Sequence, residues 1–397
     1  MSVVQIRDLT PGDLDAVLDN RKRAFGPLSA SSVATWRSLV APALPEGRYL
    51  GAFDGGRLVA TSRINHYEQW WHGRPLSMGG IAGVTVAPED RGRGVGGLLM
   101  RATIERCAEL GHAVSALYPT TTPLYRGAGW EHAGARLRVT VPAESLRALA
   151  PRDTAVAVRR AGPGDAAEIR ALLGRLHAAT RACGPVVEEE RVLRLWLEDD
   201  DDFAYLAADG FLLYRWDGDG LDVDNLVAGS EATARALWSL AGSASSVAAT
   251  VTATVEPDDP MLWLARDRST DTVERTGWML RIIDLPAAVA GRGYPAGAAL
   301  DAVVEVSDPR RPANSGAWRL SVASGRGEAV RVGPLSGGPG RPGAEVTRLT
   351  VGGLSALFAG VGVSALRRAG LVTGGTPATD DLLACAFAAK PYMIDYF

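Results

Sequence analysis

Residues 84–102 read "VTVAPEDRGRGVGGLLMRA". The alternation in "VTVAP" predicts a strand, and "GVGGLLMRATIERCAELG" predicts a helix stopped by Gly111. Between them lie Gly92, Gly94, Gly96 and Gly97. Glycine lets the backbone approach a ligand closely and aim several N–H groups at one anion. The helix opening near Val95 adds the positive end of its dipole, and Arg91 and Arg93 add charge. This order predicts a phosphate or pyrophosphate site. A merely flexible glycine turn is the weaker reading of so patterned a stretch.

Gly92 to Gly97 also satisfy GxGxxG, which raises a dinucleotide fold. Two features oppose it. The turn from Val86 to Gly92 holds "APEDR", whereas the dinucleotide fingerprint turns directly off its strand. No acidic residue stands about 20 positions after the glycines to meet a ribose.

Around this stretch, residues 1–150 alternate strands and helices. "VVQIRDLT" predicts a strand and "PGDLDAVLDNRKRAF" an amphipathic helix opened by Pro11. "RYLGAFDGGRLVATSRINHYEQWW" predicts a hairpin about Asp54-Gly55-Gly56, and "HAVSALYP" a further strand. "AVAVRRAGPGDAAEIRALL" then echoes the N-terminus, and "VDNLVAGSEATARALWSLAG" echoes the glycine stretch in outline. Two copies of one α/β fold follow, at 1–150 and 151–290. The second copy has "AGSEATARALW" where the first has "APEDRGRGVGG", so it is expected to lack the anion site. After residue 290, Gly/Pro-rich "GRGYPAGAAL" and "VGPLSGGPGRPGAE" punctuate strand-like "LDAVVEVSD", "AWRLSVAS" and "EVTRLTVGG". Helices are expected near 354–369 and 379–390, making 291–397 a third, α+β domain.

Bulk composition narrows the partners. A net charge of −3 gives no sign of a nucleic-acid or membrane-surface binder. Three scattered cysteines, Cys107, Cys183 and Cys385, form neither CxxC nor a disulfide framework, which predicts a reducing cytoplasm. The N-terminus lacks the apolar core of a signal peptide, and no apolar run would span a bilayer. The five histidines show no ligand spacing, so no metal is expected. The acidic run "LEDDDDF" (197–203) reads as a solvated loop.

Read as Arg-x-x-Gly-x-Gly, "RGRGVG" resembles the pyrophosphate loop of the GNAT N-acetyltransferases, which follows a strand of the "VTVAP" kind. "TTPLYRGAGWEHAG" (121–134), with Tyr-x-x-x-Gly-Trp, looks like that family's tyrosine-bearing helix. "GWMLRIIDLPAAVAGRGY" (277–294) resembles the segment joining the second and third domains of the enhanced intracellular survival proteins, actinobacterial aminoglycoside N-acetyltransferases. "GPLSASSVATWRSLV", with Trp36, resembles their substrate-pocket helix.

The resemblance implies tandem GNAT domains, the second degenerate, followed by a sterol-carrier-protein-like domain. It also implies a homohexamer. It implies acetyl-CoA bound by Val84, Thr85, Val86, Arg91, Gly92, Arg93, Gly94, Val95, Gly96, Gly97, Thr120 and Thr121. Tyr125 is then the acid and the Phe397 carboxylate the base, with Trp36 and Asp395 on a small-molecule amine. The family's pocket is often strongly acidic, and here Asp395 and Glu68 are the acidic residues that can be named. Two alternatives stay open: a protein-lysine or small-polyamine acetyltransferase, and a lipid- or ligand-binding regulatory protein with an inert GNAT part.

The chain ends on "AKPYMIDYF". A free α-carboxylate has a reference pKa near 3.5, a poor base, but burial among aromatic rings and a second carboxylate raise it. Tyr392, Ile394, Tyr396 and Asp395 supply both. Pro391 is expected to end the preceding helix, and Lys390 to suit that helix's negative end. The aromatic run is then an anchor for the charge at its tip.

Overall fold

The computed structural model describes residues 4–150, 155–265, 273–333 and 346–397. The start of the second unit at 151–154, and most of the Gly/Pro-rich stretch 332–345, lie outside them.

The first unit runs β1 (Gln5–Asp8), α1 (Leu14–Phe25), α2 (Ala30–Val40), β2 (Tyr49–Asp54), β3 (Arg57–Trp71), β4 (Arg74–Val86), α3 (Val95–Glu109), β5 (Val114–Leu117), α4 (Thr122–Gly127) and β6 (Glu131–Pro142). After α5 (Ala143–Arg147) the second unit runs β7 (Arg159–Ala161), α6 (Ala166–Ala179), β8 (Cys183–Glu188), α7 (Glu190–Trp196), β9 (Asp202–Ala207), β10 (Gly210–Asp217), β11 (Gly220–Ala228), α8 (Glu231–Gly242), β12 (Thr250–Val255), α9 (Met261–Leu264) and β13 (Val273–Ile282).

The echo between the two units is physical. Asp13 accepts the Thr10 N–H at 2.8 Å and pairs with Arg7 at 2.8 Å. Asp165 accepts the Gly162 N–H at 2.8 Å and pairs with Arg159 at 3.0 Å. In both, a carboxylate satisfies a donor that the coming helix leaves open.

One sheet of 13 strands crosses both units in the order β1-β2-β3-β4-β5-β13-β6-β12-β11-β10-β9-β7, with β8 on β3. β13 falls within 151–290 by position, yet it lies between β5 and β6, antiparallel to both. The far half of β6 pairs with β12. Each unit thus lends a closing strand to the other, and no cut at one chain position separates them.

The third unit comprises α10 (Leu285–Gly291), β14 (Leu300–Ser307), β15 (Gly316–Ala323), β16 (Arg326–Arg331), β17 (Thr347–Thr350), α11 (Val351–Phe358), α12 (Val363–Arg368), β18 (Val372–Thr373) and α13 (Pro377–Ala386). Its sheet runs β16-β15-β14-β17-β18. The helix expected at 354–369 starts earlier, where Thr350 caps Gly353 N–H, and breaks at Gly360, whose φ is +95°.

All eight residues of α11 are buried, and its Ser355 hydroxyl accepts the Ile282 N–H of β13 at 3.0 Å. Two buried arginines add to this joint. Arg281 pairs with Asp308 through two 2.9 Å bonds, both side chains fully buried. Arg292 donates to the carbonyls of Phe358 and Phe387 at 3.0 and 3.1 Å. The third unit therefore holds a fixed position on the first, and with it the chain that leaves α13.

Candidate active site

The glycine stretch forms the expected strand, turn and helix. Gly92 and Gly94 take φ of +76° and +81°, a region that side chains strain against. A Cβ at Gly92, Gly94 or Gly97 would meet nothing within 4 Å, so this face is open. α3 begins without a side-chain cap, which leaves its first N–H groups as donors. These features fit a pyrophosphate. In the second unit, Ser230 caps the corresponding helix by accepting the Thr233 N–H, so that end is closed by the protein itself.

The two loop arginines differ. Arg91 is exposed. Arg93, expected on the pyrophosphate, is turned back: it pairs with Asp54 at 2.9 Å and with Asp90. Its guanidinium braces the base of the loop, so its side chain is corrected from ligand to support.

β4 and β5 pair in parallel over Met78–Gly80 and Val114–Ala116, and β4 runs on beyond that pairing to Val86. Gly83, at φ +58°, sits where β4 slips register against β3. Val84 and Val86 are half-buried here, while the Thr85 hydroxyl turns inward to Thr61 at 2.7 Å. Thr85 thus has its backbone to offer. Thr120 and Thr121 lie exposed at the turn into α4.

Tyr125, on α4, is buried, with its ring edge-on to Trp130 at 6.4 Å. Its neighbour Leu124 comes within 3.5 Å of a Cβ placed at Gly96, so the loop helix and the tyrosine helix pack together. Burial pushes the Tyr125 hydroxyl up to about 12.

The chain end reaches the same sheet. α13 stops at Ala386, four residues before Lys390, and Lys390 pairs with Asp258 at 2.6 Å instead of answering the helix end. The tail then runs extended between β6 and β8. Ala135 bridges Tyr392 in parallel, and the Tyr392 N–H donates to Cys183 O at 3.0 Å. Arg136 donates to Ile394 O and Tyr118 to Asp395 O, each at 2.9 Å.

Glycines make room for it. A Cβ on Gly134 would stand 2.6 Å from Pro391 O, one on Gly184 2.3 Å from Tyr392 O, and one on Gly80 2.9 Å from the Phe397 ring. Phe397 ends between Tyr67, at 4.8 Å, and Tyr118, at 5.7 Å.

Phe397, Tyr396 and Tyr67 line a cavity of about 150 Å³ with Arg63, His66 and Glu188. Ile64 lines it too and shares a core cluster with Tyr125. Glu188 comes from β8, opposite Tyr67 in register, and accepts the Trp196 indole N–H at 2.9 Å. Burial, then the nearby Asp395, pushes Glu188 up to about 8. Burial raises Asp395 to about 6.

Two expected substrate residues fall elsewhere. Trp36 packs on the core under α1 and β2, and Leu39 is the residue of α2 that reaches the cavity. The Asp395 side lines a neighbouring space of about 180 Å³ in the second unit, with Arg136, Asp202 and Asp224. There Asp202, from the acidic run expected to be solvated, pairs with Arg215 at 2.7 Å with its side chain 3% exposed. Glu68 pairs with Arg170 at 2.8 Å.

Sequence reasoning missed Arg63, Tyr67, Tyr118 and Glu188. Glu188 opens "EEER", a run that looks solvated, and the others are ordinary strand residues until the tail arrives beside them. Among the described residues there is no cluster of metal-binding side chains, and no helix is long and apolar enough to cross a membrane.

Comparison with known proteins finds three domains in the same order. Residues 5–133 and 179–282 each match the acetyltransferase (GNAT) domain, and residues 285–394 match the sterol carrier protein domain. A crystal structure of a GCN5-related N-acetyltransferase from Kribbella flavida is 47% identical, with a TM-score of 0.94 over 100% of this chain and 98% of that one. N-acetyltransferase Eis of Mycobacterium tuberculosis is 28% identical over 328 residues, 76% of this chain and 77% of its own. Eis1 of Mycobacterium abscessus shares the fold over the full length of both chains, with a TM-score of 0.76 at 22% identity.

Proposed function

We propose that this chain, which belongs to the GCN5-related N-acetyltransferase family, acetylates a small-molecule amine at the cavity where the chain ends. The observation that carries this reading is the convergence of three parts on one sheet: the open glycine loop, the Tyr125 helix and the seated tail.

The acetyl donor is acetyl-CoA, held at its pyrophosphate by backbone N–H groups from Gly92 to Gly97, beside Arg91. It supplies a thioester: a C–N bond forms to the amine as the C–S bond breaks, and CoA leaves as the thiol. The amine arrives mostly as ammonium and cannot attack in that form. The Phe397 carboxylate takes its proton, directly or through one water. Backbone N–H groups of β4 near Val86 stabilise charge on the carbonyl oxygen. Tyr125 gives its proton to the departing sulfur, whose thiol pKa is near 8.5, and the second proton that the nitrogen sheds as the amide forms passes to water, from which the tyrosine is reprotonated.

The family resemblance puts aminoglycoside-type polyamines first among acceptors to assay, with small polyamines and lysine peptides next. It also carries a homohexamer in the cytoplasm, which light scattering and fractionation test.

The decisive experiment compares the same protein tagged at either end. A C-terminal tag turns the Phe397 carboxylate into an amide. It should cost orders of magnitude in kcat, while an N-terminal tag should be harmless. Equal turnover with the same pH profile from both would remove the carboxylate from the reaction. Absence of amine-dependent thiol release across the whole panel would favour the inert, ligand-binding alternative.

A further inference from the structure

We infer that the amine this enzyme acetylates also carries an anionic group, a carboxylate or phosphate, and that Arg63 is the residue that binds it. The inference rests on acetyl transfer at the Phe397 cavity and narrows the acceptor beyond the general class of amines.

Arg63 stands on β3, opposite Tyr49 on one side and Ala82 on the other, and lines the cavity with Phe397, Tyr67 and Glu188. Among the described residues it makes no ion pair and no hydrogen bond, and its Nε is buried without a partner. The side chain is half-buried with its Nε enclosed and unpartnered, and an incoming anion gives that N–H the acceptor it lacks. The guanidinium fork matches a carboxylate or phosphate through two parallel bonds.

The other arginines of the wall are occupied. Arg48 pairs with Glu46 at 3.1 Å and Glu189 at 3.5 Å. Arg191 pairs with Glu189 at 2.6 Å and Glu46 at 3.6 Å. These two arginines and two glutamates neutralise one another at the rim.

Inside, burial and then Asp395 push the Glu188 carboxyl up, while the Trp196 N–H that it accepts and the charge of Arg63 oppose that shift. Burial and Arg48 hold His66 toward its neutral form. The Tyr67 hydroxyl is kept protonated by burial. Arg63, which has no ion pair of its own, and the chain-end residue Phe397 then line one cavity. A bare polycation would set positive charge against Arg63. A zwitterion leaves each group matched, its ammonium at the carboxylate and its anion at the guanidinium.

The test uses matched amines that differ by one carboxylate: 5-aminovalerate against pentylamine, and lysine against cadaverine, with kanamycin as the polycation. Thiol release with acetyl-CoA gives kcat/KM, and calorimetry on the full-length protein saturated with CoA gives affinity without turnover. The acid of each pair should exceed its partner by about 10- to 100-fold, the usual worth of a charged hydrogen-bonded pair. Kanamycin should fall below both acids.

Arg63→Met should erase the preference for the acid, and Arg63→Lys should restore part of it, with both variants checked by melting temperature. Equal kcat/KM and affinity within each pair, or an unchanged preference in Arg63→Met, would overturn the inference. So would a loss in Arg63→Met that is the same for acid and amine, since Arg63 would then serve the terminal carboxylate itself. If no amine turns over, the acetyl-transfer reading fails, and calorimetry still decides whether Arg63 selects the acid.

Discussion

Gly184→Ala tests the seating of the tail without touching any group assigned a chemical role. Gly184 has φ +100°, and a Cβ there would lie 2.3 Å from Tyr392 O and 2.9 Å from Tyr392 N. Both are backbone atoms, so no side-chain rotation relieves the clash. Contacts of a Cβ below 3.0 Å essentially never occur, so the tail must move by roughly 0.7 Å, the difference between 3.0 and 2.3 Å. The left-handed backbone adds about 1–2 kcal/mol of strain on alanine. Movement at Tyr392 loosens its bond to Cys183 O and runs along an extended strand to Phe397.

A base must sit within about 3 Å of its proton, and a 1 Å misplacement can cost about 100-fold. We therefore expect kcat to fall by about 10- to 100-fold, with acetyl-CoA affinity within about twofold, because the glycine loop lies at the other end of β4. Stopped-flow thiol release and calorimetry read the two quantities. A folded variant with unchanged kcat would refute the argument that tail position governs the chemistry.

Gly94→Asp should abolish acetyl-CoA binding by calorimetry in a folded protein, since it sets a negative charge and an L side chain at φ +81° on the uncapped end of α3. Tyr125→Phe should lower kcat by about 10²–10⁴ while leaving KM nearly unchanged, and a change within twofold would reduce Tyr125 to packing. Glu188→Gln tests the buried carboxyl through stability. A carboxyl whose folded pKa is raised, here to about 8, stabilises the fold below its unfolded pKa near 4.3. That contribution is lost as pH rises through about 8. The variant should melt within about 2 °C of the parent at pH 5 and clearly above it at pH 9.

What the sequence disclosed follows from what each signal measures. The glycine loop was legible because backbone geometry demands glycine at Gly92 and Gly94 whatever surrounds them. The repeat was legible because Pro-Gly-Asp at a helix start is a local device, and both copies form the same arginine and N–H contacts. The apolar tail announced through its composition the burial of Tyr392, Met393 and Ile394, although Tyr396 stays exposed. None of these readings needed a partner's position.

Partner choice is where local reasoning stops. Residues 277–294 resemble a segment joining two domains, but nothing local in them names a neighbour, so the place of β13 between β5 and β6 was invisible. Charge shows the same limit. Arg93 and Arg63 are both arginines in the first unit, and the one beside the glycines looked like the ligand-binding group. Asp54 and Asp90 occupy Arg93, while among the described residues no carboxylate forms an ion pair with Arg63. Glu188 and Asp395 likewise lie far apart in the chain and in different units, and burial raises both where β8 and the tail meet. The chemistry of this site therefore depends on the exchanged strands and the third unit as much as on the loop. That dependence predicts where damage should register: changes in the glycine loop should act on acetyl-CoA affinity, and changes that shift the tail should act on kcat.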